Sequence, residues 1–461
     1  MSIDVARYLE PSLAHSPDAR GISTMAQNLV GSEILRVAGE VRAQIAAGHS
    51  ILNLTVGDFS STEFPIPEAL SAAITDALAA GHSNYPPATG VMECRVAVQK
   101  LYKERLGLEY PVDSVIIAGG ARPVIAALYM ALVNPGDKVV YGVPSWNNEH
   151  YCTITGGVGV PLGTSEADRF FFHTEDLLPH LADARLLVLN TPQNPTGTVM
   201  SAETLELIAK EVVQENLRRQ AEGRPALYVM FDQIYWMLTF HGSEHHNPVS
   251  LVPEVAPYVL FVDGISKGFA ATGLRVGWGV GPVDVIKRMG AILSHLGAWA
   301  PKPEQVASAH FMNDTAAMDA FLARMHDEVG ERLDIIARAL NALEGEGWTV
   351  HSIRPQGAIY LSLRIDLRGK EDRGRQGARD RRGRPPLPPE RGGDRGDPVP
   401  LLRGAGGHRL VPRQRGRGEQ GRLRQHRGPA PRRAREAQLR PTCSSTSPTR
   451  TTPRGRSGRG S

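Results

Sequence analysis

Cysteine is scarce in this chain: Cys94, Cys152 and Cys443 are the only three in 461 residues, and no CxxC or Cys/His spacing joins them. That excludes a disulfide framework and a structural zinc site, and it suits a reducing, cytoplasmic setting. No apolar stretch approaches the ~20 residues that a bilayer span requires. The opening MSIDVARYLEPSLAHS has no basic start followed by an apolar run, so no secretory leader is expected. A soluble protein follows, and a hydrophobic content of 41% over this length supports a large core and two domains. His241, His245 and His246 invite a metal reading, but a solvated loop accounts for them better.

The end of the chain lacks still more. From Glu371 to Ser461 there is no Lys, Ile, Phe, Tyr, Trp, Met or Asn, while 24 Arg stand against 8 acidic residues, a charge of +16. Residues 1–370 hold 28 basic and 40 acidic residues, a charge of −12. A segment so poor in apolar residues cannot offset its ordering entropy, so disorder is expected there. An RNA-binding arm is the functional alternative. The absence of any aromatic to stack on a base weakens it.

What remains is regular. Helical spacing marks residues 30–47, 67–81, 91–107, 121–133, 201–220 and 315–345. Short apolar runs predict strands at 51–59, 114–120, 137–145, 184–192, 226–232 and 258–266, with further strand character over 347–367. Such alternation implies an α/β fold: a large domain with a mostly parallel sheet between helices, plus a smaller α+β domain. In open α/β sheets ligands bind beyond the carboxyl ends of the strands. Four loops there carry chemistry: Gly119-Gly120-Ala121-Arg122, Asn194-Pro195-Thr196-Gly197, Asp232-Gln233-Ile234-Tyr235, and Ser266-Lys267 with Arg275 eight residues on.

Each residue type suits one part of a phosphorylated pyridine aldehyde. A lysine amine can form a Schiff base with the aldehyde, and a carboxylate can keep the ring nitrogen protonated. Asn and Tyr side chains can bond the ring hydroxyl. Glycine-rich backbone at a helix start, with Ser and Arg, can hold the phosphate.

The segments TPQNPTG (191–197), YVMFDQIYW (228–236) and GISKGFAATGLRVGW (264–278) closely resemble the fold-type-I, class I/II aminotransferases, which use pyridoxal 5'-phosphate. VPSWNNEHY (143–151) resembles the Pro-Ser-Trp segment of the aspartate-aminotransferase branch, and SNYPPATG (83–90) is similar to the family's Asn-Tyr element. The likeness covers roughly residues 30–365, with the motifs in the family's order.

The resemblance implies a role for each matching position. Lys267 is the Schiff-base lysine and the base for the 1,3-proton shift. Asp232 pairs with the pyridine nitrogen, Tyr235 and Asn194 with the ring oxygen, and Trp146 stacks on the ring face. Gly120, Ala121, Ser266 and Arg275 bind the phosphate, with Tyr85 reaching in from a second subunit of a homodimer. Gly57 lies near the substrate carboxylate. The family often has Ser or Thr where this chain has Ala121, which shifts phosphate binding toward backbone amides. Arg122 reads as an ordinary helix-start arginine.

The domain pattern so implied is 1–57 as a segment of the small domain, 58–320 as the large cofactor domain, 321–368 as the start of the C-terminal small domain, and 369–461 as the tail. Amino-group transfer between an amino acid and a 2-oxo acid is the expected activity. A C–S lyase doing β-elimination is the alternative on the same cofactor. A cofactor-sensing regulator is disfavoured, because about 30 residues ahead of the fold leave no room for a DNA-binding domain.

One departure stands out. The family closes on a Phe-Arg-x-Ser-x-Gly motif whose arginine grips the substrate carboxylate, and nothing after residue 365 matches it. Encoded by GC-rich codons and read one nucleotide later, residues 408–418 can give Thr-Gly-Trp-Phe-Arg-Val-Ser-Val-Gly-Ala. The tail then reads as out-of-frame translation beginning near residues 368–376. Weak or absent transamination by this chain as it stands is the corollary.

Overall fold

The computed structural model describes residues 4–8, 21–29, 31, 33–55 and 57–366, and the expectations for 369–461 lie outside them. Seven strands form the main sheet: β1 (Val115–Ala118), β2 (Lys138–Val143), β3 (Val158–Gly163), β4 (Ala184–Asn190), β5 (Tyr228–Asp232), β6 (Val259–Gly264) and β7 (Gly277–Val280). Their order is β1-β7-β6-β5-β4-β2-β3. Only β7 runs against its neighbours; the other pairs are parallel.

Strands such as β1 and β6 are buried along their whole length, because helices cover both sheet faces and no polar side is needed. Successive side chains enter opposite cores. Phe231, Phe261 and Leu187 pack on one face, and Met230, Leu260 and Leu186 on the other.

Parallel register sets the site. Asn190 pairs with Asp232, and Asp232 with Val262, so the carboxyl ends of β4, β5 and β6 stop side by side. At the far edge of that row, helix Ala121–Leu132 begins at once behind β1, with Gly120 as its N-cap at φ 100°. A Cβ on Gly277 in β7 would collide with the Gly120 and Ala121 backbone, so only glycine lets strand and helix start meet.

Several expectations need correction. No strand forms over 51–55 or 57–59. A strand needs an adjacent edge to bond, and none lies beside these residues among the described ones. Leu52 and Leu54 keep 84% and 72% of their surface exposed. The run over 114–120 narrows to Val115–Ala118, and 347–367 yields two three-residue strands, β8 (Val350–Ser352) and β9 (Leu363–Ile365). The long helix runs from Thr315 to Gly345 as its spacing predicts. Between β9 and β8, residues 356–362 cross back to the large sheet: the Gln356 and Gly357 amides donate to Gly197 O at 2.9 and 3.0 Å, and the Ala358 amide to Leu238 O at 2.8 Å. No described helix is long and apolar enough to cross a membrane.

Candidate active site

Lys267 sits in the short helix Ile265–Gly268, directly behind β6. Its Nζ donates to Gly57 O at 2.6 Å and lies 5.6 Å from the centre of the Tyr235 ring. Burial lowers its pKa to about 8, aided by Arg122 and Arg275 and opposed by the Asp58 carboxylate. An amine so placed is largely within reach of its neutral, nucleophilic form near physiological pH.

Asp232 ends β5. Its Oδ1 accepts the Ile234 amide at 3.1 Å, and no further hydrogen bond reaches its carboxyl among the described residues. Burial raises its pKa to about 6. A half-buried carboxylate held by a single amide is a group short of a partner, and a protonated ring nitrogen would supply the missing donor and charge. Tyr235, two per cent exposed, places its hydroxyl 2.6 Å from that of Tyr360. The Asn194 amide donates to Asn190 Oδ1 at 2.8 Å, which pins the loop to the end of β4.

Arg275 takes a left-handed backbone, φ 57°, and reaches back: Nη1 donates to Thr272 O at 2.6 Å and Nη2 to Gly119 O at 3.1 Å. A Cβ on Gly120 would collide with this guanidinium. The first amides of the helix beginning at Ala121 have no partner within the helix. Buried Ser266 lies in the turn after β6. A guanidinium beside the free amides of a helix start is a setting that takes a phosphate.

Trp146 is half-buried, and the Arg122 guanidinium lies 4.5 Å over its ring. Arg122 is therefore more than a helix-start residue: it stacks on the indole, bears on Lys267, and has no acidic partner among the described residues. Tyr85 is 82% exposed and packs edge-on to Trp299, outside the Lys267 cluster of its own chain. The expected solvated loop holds for residues 241–244 but not for His245. His245 stacks near Phe231 and Trp236, bonds Gln233 Oε1 at 3.2 Å, and is held neutral by burial at a pKa of about 3. His241 pairs with Asp334 at 3.1 Å. No group of three or more metal-ligating side chains forms among the described residues.

Two site neighbours escaped the sequence. Asp58 accepts from Thr272 Oγ1 at 2.7 Å and supports charge on Lys267. Tyr360 arrives on the crossing segment. Its signal was faint: a single tyrosine in GAIYLSLRIDL, 125 residues from the partner it bonds.

An amine suited to an aldehyde, a carboxylate lacking a cation and a guanidinium beside a helix start are asked for together by pyridoxal phosphate, and the residues present fit it. Fold and site thus define a pyridoxal-phosphate enzyme of the open α/β kind. The family "Aminotransferase class I and II" matches residues 49–373. The aspartate/prephenate aminotransferase of Thermus thermophilus is 29% identical over 346 residues, covering 75% of this chain and 84% of that protein. The aspartate aminotransferase of Pinus pinaster is 31% identical over 333 residues, covering 72% and 64%. The solved aspartate aminotransferase of Thermus thermophilus with maleate superposes with a TM-score of 0.68 at 28% identity, over 75% of this chain and 85% of that one. The chain belongs to the class I and II aminotransferases. It is a pyridoxal-phosphate-dependent transaminase, acting on an amino acid and a 2-oxo acid, and the β-elimination alternative is not favoured.

Proposed function

We propose that this chain is a cytoplasmic, homodimeric aminotransferase whose substrates are dicarboxylic, with Lys267 as its catalytic amine. The observation that carries the reading is the pairing of a softened amine with an under-partnered carboxylate on adjacent strand ends. The substrate class is supported by the relatives named for aspartate and by Arg122, an unpaired guanidinium held over Trp146 at the site. The exposed Tyr85, Leu52 and Leu54 supply the surface a second subunit would cover.

Bound pyridoxal phosphate supplies the aldehyde and a ring that accepts the electron pair released when the substrate's Cα–H bond breaks. Lys267 would hold the cofactor through its aldehyde and, when free, would serve as the base that moves the substrate's Cα proton. Its depressed pKa leaves the freed amine able to accept a proton. Asp232 would hold a proton on the ring nitrogen. Tyr235 and Asn194 would bond the ring oxygen, Trp146 would cover a ring face, and Gly120, Ala121, Ser266 and Arg275 would fix the phosphate, with Tyr85 reaching the partner's site. Gly57 lines the substrate carboxylate region.

The domain limits given above and an out-of-frame origin for residues from about 369 onward belong to the same proposal. Its test is cofactor uptake followed by visible absorbance, beside Lys267→Ala. The native chain gains a visible band that borohydride fixes to the Lys267 peptide, and the variant does not. A chain that takes up no cofactor refutes the assignment. Measuring 2-oxo acid with and without an added amino acceptor separates transfer from elimination.

A further inference from the structure

Tyr360 belongs to none of the motifs that mark the site, yet it touches three of its parts. Its hydroxyl is 2.6 Å from that of Tyr235, and its ring stands edge-on to the Tyr235 ring, 5.5 Å away at 73°. A Cβ on Gly57 would collide with the same hydroxyl, so Tyr360 also borders the carbonyl that receives Lys267 Nζ. Its backbone is fixed on both sides: the Gln356 and Gly357 amides bond Gly197 O, and Ser362 Oγ donates to Thr196 O at 2.9 Å. These bonds tie it to the loop that carries Asn194. The Ala358 amide ties it to Leu238, three residues beyond Tyr235.

Burial raises the pKa of both phenols, so both carry their protons at neutral pH. In a pair of protonated hydroxyls, one donates and the other accepts. We infer that Tyr360 is a positioning residue that donates to the Tyr235 oxygen and so turns the Tyr235 proton toward the cofactor's ring oxygen. The inference rests on the reading of Tyr235 as that oxygen's partner. A phenol whose own oxygen is receiving a hydrogen bond is a better donor, and the effect is larger in a low-dielectric site. Donation to a negatively charged ring oxygen favours the deprotonated cofactor–lysine linkage. It therefore lowers the pH at which the visible band changes.

The experiment loads the full chain with pyridoxal phosphate and finds the midpoint of that spectral change by pH titration. Tyr360→Phe raises the midpoint by roughly 0.3–1 pH unit, the worth of one net hydrogen bond. Tyr235→Phe raises it further, and the double variant matches Tyr235→Phe alone. Replacing Tyr360 with fluorotyrosine, a more acidic phenol of nearly the same size, lowers the midpoint, a sign change that looser packing cannot produce; this arm decides if Tyr360→Phe does not fold. A Tyr360→Phe midpoint equal to the native one, or an equal shift with and without the Tyr235 hydroxyl, overturns the inference. If Tyr235→Phe itself shifts nothing, the reading of Tyr235 falls with it.

Discussion

Replacing Asp232 by Asn keeps the side chain's shape and its bond from the Ile234 amide, and removes only its capacity for charge. The carboxylate has no other hydrogen-bond donor among the described residues, so the pyridine nitrogen is its one prospective cationic partner. A hydrogen bond to a charged group contributes about 1.5–3 kcal/mol net, which converts to roughly a 10- to 150-fold rise in the Kd for pyridoxal phosphate. The pH dependence gives a second handle. Burial holds the native carboxyl at a pKa of about 6, so the charged form is present above that value and is lost as pH falls through it. Cofactor affinity of the native chain is then full at neutral pH and declines on acidification, whereas the Asn variant is weak and flat over the same range. Fluorescence or absorbance titration of cofactor at several pH values measures both. A variant that binds within a factor of two of the native chain throughout, or that keeps the native acid-side decline, refutes the pairing of Asp232 with the ring nitrogen.

Gly120→Ala places a methyl group against Arg275 at a φ of 100°, a strain of about 1–3 kcal/mol. Affinity for pyridoxal phosphate is expected to fall at least tenfold while that for unphosphorylated pyridoxal changes little, which competitive binding measures. A single-base correction near codons 368–376 is expected to raise transaminase turnover well above that of the present chain, and equal activity of the two proteins would remove the frameshift reading.

Much of this site could be read from local signals. Asp232 ends, and Lys267 follows, a short apolar run of buried-strand composition, and parallel register carries both to one edge of the sheet. Asn194 and Gly120 were legible for the same reason, since turn residues interrupt apolar runs there. What failed was non-local. β3 and β7 are short and contain two glycines each, with a proline in β3, so neither shows a strand's alternation. The apolar run at 51–59 carries a strand's composition, but pairing depends on an edge that composition does not encode. Arg122 looked ordinary because its meaning lies in Trp146, and Tyr360 because its meaning lies in Tyr235.

The same distinction bears on the C-terminal part. β8 and β9 form a two-stranded antiparallel ribbon in which Val350 faces Ile365, and two strands alone are marginal in water. Ile365 keeps 40% of its surface exposed, and Trp348, two residues before Val350, keeps 63%. An apolar surface of this kind calls for apolar neighbours, yet from Glu371 onward the chain offers no Ile, Phe, Tyr, Trp or Met. Under the frameshift proposal, residues 408–418 written in GC-rich codons and read one nucleotide later can give Trp and Phe together with an arginine like the one the family uses on its substrate.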